Sequence, residues 1–365
     1  MAARGIRAVV LEKADTVGSV WRRHYERLHL HTDRRHSGLP GLEMPRSYPK
    51  YPSRAQVVEY LESYARTFDI APVFNAAVTG IERRASRWSV HTNTDSRSAD
   101  VVVVAAGWAS YPYCPSWPGS EEFRGKVIHS TEYRNPEAYA GRRVLVVGFG
   151  NSGGEIALDL AMAGVDVTLA VRGPVQILPR DLFGLPIVSW AIAQQHLPAR
   201  IADFLNEPLT RLAIGPIEQL GLRRSKKGPR RMVEEDGRVP LLDVGTVASI
   251  REGSIKVRAG IGHFSSEGVM FADGRQEKFD AVVLATGFRP DLRQLLANVE
   301  GVLDENGKPL VTGNSTRGPG LYFCGFVASA TGHLREIGLE ARRIADLARR
   351  YVGSRLRSSA ARALG

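Results

Sequence analysis

Three glycines and an arginine are the residues of this chain whose types and spacing most clearly point to chemistry. Gly148, Gly150 and Gly153 stand in G-x-G-x-x-G spacing inside RRVLVVGFGNSGGEIALDLAMAGVDVTLAVR, which runs from Arg142 to Arg172. Val144 to Val147 form a continuous aliphatic run, as expected of a parallel strand buried on both faces. The first glycine suits the tight turn, the second a close approach of backbone to a pyrophosphate, and the third the packing of a helix on the strand. An anion bound there lies at the helix N-terminus, where Asn151 and Ser152 serve the free backbone donors or the ligand itself. Ile156, Leu158, Leu160 and Ala161 give the helix its apolar face. The glycine spacing alone is a weak signal; between a buried strand and an amphipathic helix it predicts a dinucleotide site.

The following strand, Val165 to Val171, ends in Arg172. A carboxylate at that point would hold the ribose hydroxyls of NAD, whereas a guanidinium meets a 2′-phosphate through two parallel hydrogen bonds, so NADPH is the expected cofactor. The competing reading of Arg172 is an ordinary surface arginine at a strand end. Further on, Arg223, Arg224, Lys226, Lys227, Arg230 and Arg231 form a basic run that reads as a solvated loop, in a position the sequence does not fix.

These residues need a frame, and the flanking segments suggest a second nucleotide unit around the first. Ile6 to Leu11 reads as a short buried strand followed by Glu12, where a carboxylate accepts ribose hydroxyls. Ala2 to Gly5 reads as the last turn of a helix. The strand and glycine turn of such a unit are not found among these residues, so the expectation is that either its start lies upstream of Met1 or the second pyrophosphate lacks its donors and flavin binding is weak. Two apolar strands, VVVVAAG at Val101 to Gly107 and AVVLATGF at Ala281 to Phe288, flank the Arg142 unit, and Gly107 and Gly287 permit sharp exits. The expected architecture is α/β, with two Rossmann-like dinucleotide-binding domains and one inserted into the other. The outer domain takes residues 1–140 and 281–365, the inserted one 141–280.

Composition narrows the classes. With 365 residues, 43% of them hydrophobic, the chain can bury a sizeable core and is not of disordered or fibrous composition. The net charge of +11 draws phosphate-bearing partners. Charge alone leaves nucleic acid, acidic lipid and a dinucleotide open; a dinucleotide is the expected partner and nucleic acid is not. Cys114 and Cys324 form no C-x-x-C pair, which argues against a dithiol redox centre, and they read as small core residues. No apolar run is long enough to span a bilayer and the first residues lack a signal-peptide stretch, so a cytoplasmic protein is expected.

The segment FRGKVIHSTEY matches the F-x-G-x-x-x-H-x-x-x-(F/Y/W) fingerprint of class B flavin monooxygenases through Phe123, Gly125, His129 and Tyr133, just ahead of the glycine turn. LATGF at Leu284 to Phe288 is similar to that family's second ATG element. PRSYPKYPSRAQVVEYLESYARTFDI and VRGPVQILPRD look most like the YUCCA-type indole-pyruvate monooxygenases and their bacterial relatives. The resemblance implies reduction of FAD by NADPH, capture of O2 as a flavin hydroperoxide, and transfer of one oxygen atom to a small organic substrate. It implies that Glu12, Lys13, Gly18, Trp21, Val78, Ala106, Gly107 and Gly325 line FAD. It assigns Gly148, Gly150, Asn151, Ser152, Gly153, Arg172, Thr286 and Gly287 to NADPH. His129 would couple linker geometry to NADPH, and His31 or Thr32, in LHLHTDRRHSGLPG, would take the place of an asparagine that many flavin monooxygenases hold near the flavin.

An NADPH-dependent flavoprotein reductase, or a nucleotide-binding relative without activity, is the alternative. A thioredoxin-reductase-like enzyme would need the cysteine pair that the chain lacks. At the carboxyl end, GLYFCGF reads as a last strand and Leu334 to Tyr351 as a helix whose N-terminus faces the flavin, with a disordered basic tail after Val352. Within Asp181 to Arg231, LFGLPIVSWAIA reads as packing, with a cover for an apolar substrate or a membrane-surface contact as the sharper alternatives.

Overall fold

The computed structural model describes residues 1, 4–108, 111–296 and 298–363; Ala2 and Ala3 of the expected N-terminal turn lie outside them. Two helices come first, α1 (Ser19–Arg22) and α2 (Arg54–Thr67). The second begins with a capping box in which the Ser53 hydroxyl accepts from Gln56 N–H and the Gln56 side chain accepts from Ser53 N–H. An antiparallel meander of β1 (Val78–Arg84), β2 (Arg87–Thr92) and β3 (Ser96–Ala99) follows, then the short strand β4 (Val102–Val104).

The chain next enters its main sheet with β5 (Lys126–His129) and β6 (Arg143–Val147), turns through the glycines into α3 (Asn151–Met162), and returns in β7 (Asp166–Ala170). A long excursion carries β8 (Ile177–Pro179), the hairpin β9 (Asp181–Leu182) and β10 (Leu185–Pro186), and the helices α4 (Ile187–Ala193), α5 (Ala199–Ile214) and α6 (Pro229–Asp236). It closes with β11 (Leu241–Asp243), parallel to β8, and α7 (Thr246–Arg251). Then come β12 (Ile255–Arg258), a second meander of β13 (Ile261–Ser265), β14 (Gly268–Phe271) and β15 (Gln276–Lys278), and β16 (Ala281–Leu284). The last elements are β17 (Leu321–Phe323) and α8 (His333–Ala363).

The main sheet has the order β12-β7-β6-β16-β5 and every pairing in it is parallel. Such a sheet must be covered on both faces, and the side chains divide accordingly with period two. Val144 and Val146 pack with Ile156 and Leu160 of α3, while Leu145 and Val147 pack with Phe264, Val269 and Phe271 of the second meander. A second layer system is smaller. β4 pairs in parallel with β17; Val102, Val104, Leu321 and Phe323 pack towards Trp88 and Val90 of the first meander, and Tyr322 and Cys324 pack on Ile344 and Ala348 of α8.

Three expectations change. Ile6 to Leu11 is not a buried strand: its strand-type contacts centre on Val73, and Val9 and Val10 are 63% and 43% exposed. A ladder needs a neighbour along its length, and here a neighbouring chain crosses at one point only. The basic tail after Val352 is helical to Ala363, and Arg355 is tied to Asp100 and to the Ser86 carbonyl, so this part of the tail is not disordered. Cys114 is exposed, and only Cys324 is a core residue. β5 and β16 belong to the same sheet as the glycine turn.

Candidate functional site

The glycine turn joins β6 to α3, and its three glycines do different work. A Cβ on Gly153 would lie 2.1 Å from the Gly148 carbonyl oxygen, and one on Gly148, which has φ +111°, would lie 2.4 Å from the Ala285 carbonyl oxygen. Both therefore serve close packing of helix, turn and the neighbouring strand. Gly150 caps α3 and faces open space, with nothing within 4 Å of a Cβ placed there. Asn151 and Ser152 line the adjacent cavity. The Asn151 side-chain oxygen accepts from Leu242 N–H at 2.7 Å, so this residue ties the turn to β11. Gly154 was not singled out from the sequence, yet a Cβ there would meet Leu241 at 2.6 Å. The doubled glycine in NSGG was the only available signal.

The F-x-G-x-x-x-H-x-x-x-Y segment acts as a clip between β5 and this turn. Phe123 is buried against Phe264, and Gly125 lets the chain pass beneath the Phe123 ring and the Asp280 carbonyl. His129, at the end of β5, is buried; its Nε2–H donates to the Gly287 carbonyl at 3.1 Å and its Nδ1 accepts from Thr131 N–H at 3.2 Å. Burial pushes its pKa down, so the ring is a neutral bridge. Gly287 (φ +84°) also accepts from Tyr113 N–H, and the Thr286 hydroxyl donates to the Tyr113 carbonyl. Thr286, Gly287 and His129 thus meet where the chain crosses between its two parts.

Two carboxylates one turn apart on α3 receive tyrosine hydroxyls. Tyr133 donates to Asp159 at 2.9 Å and Tyr25 donates to Glu155 at 3.1 Å. Burial raises the Asp159 carboxyl, and burial together with Glu155 drives the Tyr25 hydroxyl well up. The other Glu155 oxygen pairs with His31 Nε2. Glu155 is buried and His31 partly open on the cavity wall, beside Thr32, whose hydroxyl is 2.6 Å from that of Ser37. Sequence reading found His31 and missed Glu155, which is 124 residues away and looks like one more polar residue in an amphipathic helix.

One cavity of about 2550 Å³ gathers most of the remaining candidates. Glu12, Lys13, Trp21, Val78, Ala106 and Gly107 lie on its wall. The Glu12 carboxylate accepts from Ala14 N–H, Trp21 packs edge-on to His24, and Gly107 (φ +81°) faces open space. Gly18 starts α1 with φ +72°, and Gly325 N–H is taken by the buried Glu340 carboxylate; neither is on that wall. Gly332 and His333, at the start of α8, are on it. The excursion after β8 also contributes lining through Ile187, Val188, Trp190, Gln194, Asn206 and Val233. Only the first three belong to the LFGLPIVSWAIA segment; the α5 and α6 contributions were not legible. Arg172 is exposed at the end of β7 and away from this wall.

Among the described residues no group of His, Cys, Asp and Glu is arranged to hold a metal ion, and no helix is long and apolar enough to cross a membrane. Residues 4–306 match the family model described as flavin-binding monooxygenase-like. The chain is 40% identical over 333 residues to indole-3-pyruvate monooxygenase YUCCA1 of Oryza sativa subsp. japonica, covering 89% of this chain and 82% of that one. It is 37% identical over 334 residues to a probable indole-3-pyruvate monooxygenase, YUCCA1 of Arabidopsis thaliana, covering 89% and 80%. Among solved structures, a flavin-containing monooxygenase from Stenotrophomonas maltophilia aligns with a TM-score of 0.70 at 24% identity, covering 94% of this chain and 92% of that one.

Proposed function

The chain belongs to the flavin-binding monooxygenase-like family and is an FAD- and NADPH-dependent monooxygenase, and on that premise we propose that its substrate is a small aryl-substituted 2-oxo acid. The observation that carries the substrate class is the likeness to the indole-3-pyruvate monooxygenases along almost the whole chain. The cavity supports it. Single-ligand pockets measure about 300–1,000 Å³, so 2550 Å³ leaves room for FAD and a substrate; the cavity reaches Asn151 and Ser152 at the start of α3, while Gly150 and Arg172 lie outside its wall. Gly107 and Gly150 front open space, as the cradle of a dinucleotide requires. We take residues 1–140 and 281–365 as the FAD-binding part and 141–280 as the NADPH-binding part, with β5 and β16 reaching from the first into the sheet of the second.

When bound, NADPH supplies a hydride and FAD supplies the activation of O2. The free N–H groups at the start of α3, with its dipole, bind the NADPH diphosphate, and Gly150 leaves the approach clear. His129 holds the Gly287 carbonyl in place where the two parts join. Glu155 pairs with His31 Nε2, which orients the ring and places His31 as a polar side chain facing the reacting groups. Ile187, Val188, Trp190 and Val233 provide an apolar cover that excludes water from the reacting groups.

The test follows NADPH, O2 and product together. With indole-3-pyruvate the FAD-loaded protein is expected to consume NADPH and O2 and give an oxygenated product, with pyruvate a much poorer substrate; His31→Ala lowers the product formed per NADPH. NADPH oxidation that is indifferent to every 2-oxo acid and yields no oxygenated product would favour the reductase reading instead.

A further inference from the structure

We propose that Arg223 is a second specificity-determining arginine for the nicotinamide cofactor, closing with Arg172 on the 2′-phosphate that distinguishes NADPH from NADH. The inference rests on the reading of the glycine turn as the NADPH site, and it starts from a sorting of the basic run that only the structure makes possible. Most of that run is neutralised. Arg224 faces Glu218 at 3.5 Å, Lys227 contacts Glu235 and Asp236 at 3.0 and 2.6 Å, Arg230 contacts Glu234 at 2.8 Å, and Arg231 contacts Asp203 at 3.2 Å. On the neighbouring strand Arg258 is paired with Glu277. Among the described residues Arg223 and Lys226 are the members of the run without a carboxylate partner, and Arg172 has none either.

Arg223 is also the member that the backbone carries to the end of β7. Val175 N–H donates to the Arg223 carbonyl at 2.8 Å and Ser225 N–H donates to the Val175 carbonyl at 2.9 Å, which fixes the 223–225 segment alongside the chain leaving β7. From there Arg223 Nη2 donates to the Arg172 carbonyl at 3.2 Å. The Arg172 side chain lies across Gly260, where a Cβ would come within 3.1–3.2 Å of Arg172 Cα, Cβ and Cγ. Two arginines without acidic partners thus stand at one strand end, both exposed, with the Arg223 guanidinium on the Arg172 carbonyl. Like charges so placed repel, and a dianion between them reverses the sign of that interaction. The end of the strand after the glycine helix is where a Rossmann unit presents the adenosine ribose, so the dianion that fits is a 2′-phosphate, which guanidinium forks recognise through paired hydrogen bonds.

Dissociation constants of NADP+ and NAD+ for the FAD-loaded protein test this in the wild type, Arg223→Gln, Arg223→Lys and Lys226→Gln. Arg223→Gln is expected to weaken NADP+ by about tenfold, equivalent to about 1.4 kcal/mol, while NAD+ changes by less than about twofold. Arg223→Lys, which keeps the charge without the fork, retains part of the NADP+ preference. Lys226→Gln, an equal change of charge on the same loop, moves neither constant by more than about twofold. Equal loss of NADP+ and NAD+ in Arg223→Gln and Arg223→Lys would mean that Arg223 acts only by supporting the Arg172 backbone, and the proposal is wrong. An unchanged NADP+ constant in Arg223→Gln overturns it as well, and so does a Lys226→Gln effect as large as that of Arg223→Gln, which would indicate a diffuse field. The wild type tests the underlying reading separately: binding NADP+ no more tightly than NAD+ overturns the 2′-phosphate assignment itself.

Discussion

The two parallel strand systems of this molecule dispose of their apolar surface in opposite ways. In the five-stranded sheet the interior residues of β6 and β16 are closed on both faces, with Val144, Leu145, Val146, Val282 and Val283 at 0% exposure. Ligand-facing groups at the turn are therefore positioned by protein packing before any cofactor arrives. Around β4 and β17 the arrangement is looser. Val101 to Val104 line the large cavity, and Ile6 to Lys13 line it too without forming a strand. The first region is organised by its own side chains; the second has surface that a large apolar and polar ligand would complete. On the proposed reading, the nucleotide site at the glycine turn is packed by the protein's own side chains and the one beside β4 borders the cavity.

The sharpest way to break this contrast is at the glycines. Gly153→Val drives side-chain atoms into the Gly148 carbonyl, a backbone group with no room to yield, and is expected to cost about 4 kcal/mol or more, so that little folded protein is recovered. Gly150→Val points into open space, keeps the wild-type melting temperature within a few degrees, and abolishes NADP+ binding while leaving FAD in place. If both variants fold equally well, the first region is not as tightly determined as its packing implies.

A somewhat smaller effect tests the second region. A hundredfold excess of FAD over its dissociation constant stabilises a protein by about 2.7 kcal/mol. In hydrogen exchange that gain should appear at the amides of β4, β17 and residues 6–13, with β6 and β16 already protected. Uniform protection of both sheets would erase the distinction.

The smallest effect is one of pH. Burial lowers the pKa of His129, and burial with nearby arginines lowers that of His24, so the folded protein holds both neutral where the unfolded chain is already taking up protons. Their contribution is full above about pH 6.5 and is lost as the pH falls towards their lowered folded values. Melting temperature measured from pH 7.5 to 5 should decline below that point, and less steeply in His129→Gln. A parallel slope in the variant would remove His129 from the account.

How much of this was legible follows the same divide. β6 and β16 could be read because Val144 to Val147 and Ala281 to Leu284 are continuous aliphatic runs, the pattern of a parallel strand covered on both faces, and β7 because it follows the glycine helix at the expected distance. Ile6 to Leu11 has the same composition and is not a strand, because composition does not say whether a neighbour lies along it. The contacts around the candidate site are separated widely in sequence: His31 with Glu155, Arg172 with Arg223, Asn151 with Leu242 N–H. Each member looks like a surface polar residue until the fold brings its partner. The helix beyond Val352 was missed for a related reason, since Arg355 finds Asp100 on the far side of the sequence.

The place where the chain passes between its two parts has a mechanical consequence. Both crossings run side by side: Tyr113 N–H donates to the Gly287 carbonyl, Arg289 N–H donates to the Tyr111 carbonyl, Pro112 bridges Phe288, and the Arg289 guanidinium lies 3.5 Å above the Tyr113 ring. Two tethers fastened together behave as one flat strap, which bends readily across its width and resists twisting about its length. If the glycine-turn unit moves against the rest, a strap of this kind predicts a swing across its width at residues 111–113 and 287–289, once the Tyr25–Glu155, His31–Glu155 and Lys50–Asp181 contacts between the parts are released.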